Sequence, residues 1–253
     1  MGLRCIMSED RTQKLVEAEK KVSANTWKEH SDELNIMVDL FNTYITGFNI
    51  IGSFTLSEDT EVEHAWLRLL IRSYQSMRCA LLLVSKGYYG QAICLLRSIT
   101  DDWLKCKDCR NYRPTLDALL YDKHRFGDQK LKLRDIDIAI RVREEKVYEQ
   151  DYRFQSRFTH PSRLSLAITT DPDTNEARTF PVYYEILFLA CCELFLRNAL
   201  RMTEFMEAFL SSIVTTEVDT WRATARKPCA EAADWLKIIH EKYASYSDEV
   251  SDA

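Results

Sequence analysis

Only six glycines and five prolines interrupt a sequence of 253 residues. All-β folds reverse direction every few residues and use these two residue types in most of their tight turns. A chain with so few must run in long helices joined by few connections. The apolar pattern agrees. Val62, Trp66, Leu69, Leu70, Met77, Leu81 and Val84 recur at three, four and seven, the repeat that lines one face of a helix. Ala92, Ile93, Leu96, Ile99, Trp103 and Leu104 make a second such face. Gly87 lies between the two runs, which predicts an antiparallel helical hairpin.

The remaining segments read as helices too. The pattern predicts one over 8–24 and another over 27–48. Thr60 and Glu63 have capping-box spacing for the hairpin's first helix, with Ser57 as a competing cap. Pro114 opens a short helix that ends near Gly127, and a charged helical stretch covers 130–158 before Pro161. Residues 164–180 read as a turn or small β-hairpin. Pro181 suits the first turn of a long helix with Ile186, Ala190, Leu194, Met202, Phe205 and Phe209 on its buried side. A last helical region over 218–246 is expected to break near Pro228, and the tail 247–253 to be disordered. The expected architecture is an all-α antiparallel helical bundle with N- and C-terminal helical additions and one small β-hairpin near 164–180. Its parts are an N-terminal helical extension (1–56) packing on the core, a core (57–213), C-terminal helices (214–246) and the tail.

Hydrophobic residues are 46% and charged residues 29% of the chain, a globular balance. The net charge of −5 gives no general attraction for nucleic acid. Its distribution is uneven: between Lys105 and Arg163 there are 15 Lys/Arg against 10 Asp/Glu, so the flanks carry −10. A basic middle suits a phosphate polymer or a solvated face. Cys79, Cys94, Cys191 and Cys192 fall in apolar helical stretches and are expected to be small buried hydrophobes. The start, MGLRCIMSEDR, has no apolar signal-type run, so a reducing, cytoplasmic compartment is expected. The apolar run 182–200 contains Glu185, Glu193 and Arg197 and reads as a core helix without membrane contact. Cys106-x-x-Cys109 and Glu61-x-x-His64 each lack the further ligands a metal needs, so neither metal nor cofactor is expected.

Two groups of residues carry possible chemistry. Arg97 and Asp101 stand four apart on an otherwise apolar helix and are expected to pair, as a clamp in the bundle or with Arg97 presented to an anion. Tyr152, Ser156 and His160, also spaced by four, form a polar stripe beside a basic one of Arg153 and Arg157. An Arg and a His together can stabilise and protonate a phosphate undergoing internal transesterification. At a helix end, His160 can equally cap the last carbonyls.

The run A-x-x-L-L-R-S-I-x-D from Ala92 to Asp101, after the turn at Gly87, and Y-x-x-x-S-x-x-x-H-P-S from Tyr152 to Ser162 resemble a bacterial helical family of unknown function related to HEPN domains. The resemblance covers roughly residues 88–210. Many HEPN proteins are metal-independent endoribonucleases of toxin–antitoxin or phage-defence systems. Their site is an Arg followed by four to six residues and a His, often completed across a homodimer. Here Arg153 and His160 have six residues between them, Arg157 is too close to His160 to match, and Phe154 replaces the usual polar residue after the Arg. The resemblance implies RNA as partner, Arg153 and His160 as catalytic residues, and Arg97, Asp101, Tyr152, Ser156 and Arg157 as binding or supporting residues. Two alternatives stay open. One is a non-catalytic helical interaction module with a protein partner encoded nearby. The other is a pocket for a small anionic ligand or nucleotide at Arg97.

Overall fold

The computed structural model describes residues 9–52, 60–121, 135–152, 154–156, 181, 183–213 and 217–251. Every regular element among them is helical, and the fold is all-α. In chain order come α1 (Glu9–Glu29), α2 (Ser31–Ile51), α3 (Glu61–Ser85), α4 (Tyr89–Cys109), α5 (Arg113–Tyr121), α6 (Asp135–Arg141) and α7 (Glu145–Val147). A π-helical turn (Tyr148–Tyr152) follows, residues 154–156 are helical, and α8 (Glu185–Ile213) and α9 (Val218–Ser251) complete the set. The hairpin expected near 164–180 lies outside the described residues.

The α3–α4 hairpin forms where the apolar stripes place it. Trp66, Leu69, Leu70, Met77 and Val84 of α3 and all six stripe residues of α4 are buried. Thr60 precedes α3 as expected, but its side chain makes no capping bond. The turn closes as a Schellman cap. The amide of Tyr88 donates to Leu83 O at 2.9 Å and that of Gly87 to Val84 O at 3.1 Å. Gly87 supplies the left-handed backbone this needs, with φ 82°.

α8 is the centre of the bundle and packs on α2, α3, α4 and α9. Phe188, Phe195 and Phe209 are fully buried along it, each contributing about 1.5–3 kcal/mol of burial. Gly47 lets α2 come close: a Cβ there would meet Met206 Sδ of α8 at 2.8 Å. Two buried bonds tie α2 to its neighbours, from Tyr44 Oη to Ala199 O of α8 at 2.6 Å and from Trp221 Nε1 of α9 to Thr43 O at 3.0 Å.

Several boundaries depart from the sequence reading. The break between α1 and α2 falls at His30, because Thr26 turns its hydroxyl back onto Val22 O at 2.9 Å and lets the helix continue. α9 runs unbroken through Pro228 and on to Ser251, across most of the segment expected to be a disordered tail. A mid-helix proline costs about 3 kcal/mol, but Trp221, Ala225, Ala232 and Ile239 are buried on this helix, which packs on α2 and α8. α8 starts four residues after Pro181: Tyr183 Oη is held 2.5 Å from His30 Nε2, which ties the approach segment to the α1–α2 junction. Ile186, expected inside, is 46% exposed, and Cys79 is exposed rather than buried. The stretch expected as one charged helix is divided at Arg143 (φ 61°) into α6, α7 and the π-helical turn. Among the described residues no helix is long and apolar enough to cross a membrane.

Candidate functional site

The face of α4 opposite α3 carries Arg97, Thr100, Asp101 and Lys105, four residues that helical spacing brings to one side. Against it lie α6 and the π-helical turn. Such a turn inserts one extra residue into the helical ladder and is frequent at functional sites. Here its last residue, Tyr152, is buried under α4. The Arg97 guanidinium lies over the Tyr152 ring, 4.5 Å from its centroid, and donates a hydrogen bond to Tyr152 Oη. Tyr152 in turn donates to Asp135 Oδ2 of α6. The stacked ring of Tyr148, 4.8 Å away, holds the other end of the turn.

Asp101 was expected to pair with Arg97. Its ion pair instead runs to Lys105, one turn further on, with Nζ–Oδ2 at 2.9 Å. Arg97 acts on it through its field. Burial works to raise the Asp101 carboxyl, but the charge of Lys105, hydrogen bonds from Asp135 and Lys105, and the charge of Arg97 outweigh it, so the group lies below the usual carboxylate range. Asp135 goes the other way. Burial and the adjoining Asp101 carboxyl push it up to about 6. Asp101 Oδ1 is buried and has no hydrogen-bond partner among the described residues. Below about pH 6 the two acids therefore behave as a carboxyl–carboxylate pair, with Arg97 and Lys105 compensating the remaining charge.

A second link lies one turn away. Gln155, fully buried, meets Thr100 of α4 and, through it, Asn198 of α8. Thr100 Oγ1 is 3.0 Å from Asn198 Oδ1 and 3.2 Å from Gln155 Oε1, and one hydroxyl hydrogen serves only one of these. With the Gln155 amide turned over, its otherwise unpartnered Nε2 donates to Thr100. Ser156 Oγ bonds back to Tyr152 O at 2.7 Å. Tyr152 and residues 154–156 are therefore anchored on α4 and α8 by Tyr152 and Gln155. Arg153, Arg157 and His160 lie outside the described residues.

Sequence reasoning missed Asp135, Gln155 and Lys105. The last was legible as an i,i+4 partner of Asp101, whereas nothing local connects Asp135 or Gln155 to α4. Cys106 and Cys109 are buried, and burial raises Cys109 to about 12 and Cys106 well above normal, so both remain thiols. Among the described residues no three His, Cys, Asp or Glu side chains gather where a metal ion would sit. Compared with protein-family models, with curated proteins and with solved structures, the chain matches none of them.

Proposed function

We propose that this chain is a HEPN-like RNA-binding protein that cleaves RNA without a metal, with Arg153 and His160 acting on the scissile phosphate. The observation that supports this most directly is the contact between Arg97 and Tyr152. Each residue belongs to one of the two short motifs that carry the HEPN resemblance, and the contact joins the first motif to Tyr152, the residue that opens the second. The local excess of positive charge between Lys105 and Arg163 supplies the field a polyanion needs. In the reaction the ribose 2′-oxygen attacks the neighbouring phosphorus and the 5′-oxygen leaves with a proton. Arg153 offsets the charge that builds on the phosphate, and His160 transfers protons. Arg97, Asp101 and Tyr152 support the start of the stretch in which both residues lie in sequence. The biological setting that goes with this chemistry is toxin–antitoxin action or phage defence, with a homodimer as the active form.

Purified protein incubated with RNA in EDTA is expected to cut it, and His160→Ala to abolish cutting while RNA is retained. A folded wild-type protein that neither cuts nor binds RNA refutes the proposal. If Arg153 and His160 prove replaceable while RNA still binds, the chain is a binding module without the nuclease step.

A further inference from the structure

A cavity of about 600 Å³ opens between the end of the π-helical turn, the beginning of α8 and the side of α9. That size falls in the range of small-molecule sites, about 300–1,000 Å³. Among the described residues its walls are apolar: Phe154, Leu187, Ala190 and Leu194, with the exposed Ile186 at the rim. Its charged lining is Asp151, Glu193 and Arg197, two carboxylates against one guanidinium. Asp151 is buried and Glu193 is largely covered.

The hydrogen bonds decide which polar capacity is left for an occupant. Arg197 uses both terminal nitrogens inside the cluster. Its Nη1 donates to Asp151 Oδ1 at 3.4 Å, and its Nη2 to Glu193 Oε1 at 2.6 Å and His240 Nε2 at 3.4 Å. A guanidinium accepts nothing, so His240 accepts at Nε2 and carries its hydrogen on Nδ1, which faces Glu193 Oε1 at 3.7 Å. The donors are therefore engaged. The acceptors are less well used. Asp151 Oδ2 is buried without a hydrogen-bond partner among the described residues. Glu193 takes both contacts on Oε1, which leaves Oε2. Arg201 pairs with Asp151 at 2.6 Å from outside the lining, so Glu193 is the principal anchor for a ligand. Gln150, the remaining polar residue of the lining, is neutral and exposed.

We propose that this cavity binds a small hydrophobic monoamine, with its ammonium group held by Glu193 and Asp151 and its apolar body packed on Phe154, Leu187, Ala190 and Leu194. An anion entering here meets two carboxylates and finds no spare donor. A neutral apolar molecule leaves the spare carboxylate oxygens without a partner, which is costly where water is largely displaced. An ammonium group has three donors and no acceptor to strand, so it satisfies those oxygens and matches the excess negative charge of the lining. The walls then require that the rest of the ligand be apolar, because they offer it no hydrogen bond. This inference goes beyond the RNA reading and does not depend on it.

The test is calorimetric titration of the full chain with 2-phenylethylamine and with two ligands of nearly the same size that change only the head, the neutral 2-phenylethanol and the negative phenylacetate. Ethylamine supplies the head without the body. Glu193→Gln keeps the shape of the anchor and removes its charge. Ile186→Trp narrows the rim at a position 46% exposed, so the fold is preserved and circular dichroism confirms it. The expected result is that the amine binds, that the alcohol binds at least about tenfold more weakly, and that phenylacetate and ethylamine do not bind up to millimolar concentration. Amine affinity is expected to fall at least about tenfold in Ile186→Trp, and in Glu193→Gln to approach that of the alcohol. No amine binding up to millimolar concentration, alcohol or phenylacetate binding as tight as the amine's, or undiminished amine affinity in Ile186→Trp overturns the proposal. Should Glu193→Gln fail to fold, the ligand series on the wild-type chain and Ile186→Trp decide it. RNA cleavage by a protein without amine affinity removes this inference and leaves the proposed function standing. Amine binding by a protein that neither cuts nor binds RNA does the reverse.

Discussion

Asp101 on α4 and Asp135 on α6, 34 positions apart in the chain, meet as an acid pair in which one carboxyl lies below the usual range and the other is pushed up to about 6. The groups that face the pair are Lys105 and Arg97 on α4 and Tyr152 on the π-helical turn.

The pair makes stability depend on pH. Burial, and then the Asp101 carboxyl, raise Asp135 above the value of an unfolded aspartate, about 4. Folding therefore takes up a proton here. The contribution of Asp135 is complete below about pH 4 and is lost as pH climbs through 6. Asp101, held low, contributes in the opposite sense, above pH 4. Asp135→Asn keeps an acceptor for Tyr152 and places a permanent donor beside Asp101. Urea unfolding is expected to show the variant more stable than wild type by about 1 kcal/mol at pH 8, a figure discounted for partial solvent screening, by about half that at pH 5, and nearly equal below pH 4. An equal difference at every pH contradicts the raised Asp135 carboxyl.

Arg143 closes α6 with the same bonds that Gly87 uses to close α3. The Glu144 amide donates to Ala139 O at 2.8 Å and the Arg143 amide to Ile140 O at 3.2 Å, with φ at 61°. A side chain in that left-handed conformation costs about 1–2 kcal/mol. Arg143 has no ion pair among the described residues to offset it. Arg143→Gly is expected to raise the unfolding free energy by about 1 kcal/mol and Gly87→Ala to lower it by at least as much. Denaturant midpoints at constant slope measure both, and a destabilised Arg143→Gly shows that the guanidinium has a partner of consequence.

Tyr152→Phe leaves the ring beneath Arg97 but removes the hydroxyl that links Arg97 to Asp135. A loss of about 1–2 kcal/mol is expected. Hydrogen exchange should quicken at 148–156 and stay unchanged in α3. Under the proposed function, RNA cleavage by this variant falls several-fold, and Arg97→Ala, which removes the cation–π contact as well, falls further. Exchange that quickens uniformly along the chain would mean that the hydroxyl serves only global stability.

Cysteine reactivity tests the packing directly. Cys79 is exposed, whereas Cys106, Cys109, Cys191 and Cys192 are buried with thiols pushed upward by that burial. A thiol reagent applied to the native protein, followed by peptide mapping, is expected to label Cys79 within minutes and those four only on unfolding. Labelling of Cys191 ahead of Cys79 contradicts the placement of α8 at the centre.

How far the sequence could be read followed from the range of each interaction. Scarce glycine and proline, and stripes repeating at three and four, settle helix against strand, because periodicity and turn chemistry are local. The same applies to the α3–α4 hairpin: Leu83, Val84, Gly87 and Tyr88 close its turn within six residues. The boundary expected between 24 and 27 and the break expected near Pro228 misled for a complementary reason. Helix propensities are worth a kcal/mol or less per residue, and even the proline penalty of about 3 is matched by burying two large side chains.

By itself, then, the sequence determined the helical class, the main hairpin and the two motifs that carry the functional reading. Tertiary structure alone decided that Arg97 meets Tyr152 rather than Asp101, that Asp135 comes beside Asp101 and is pushed up by it, and that Gln155 closes a buried amide link between α4 and α8. Each of those contacts spans 34 to 98 positions of chain. No spacing rule reaches that far; only the way the helices pack brings such groups together, and their charge and burial then set what they can do.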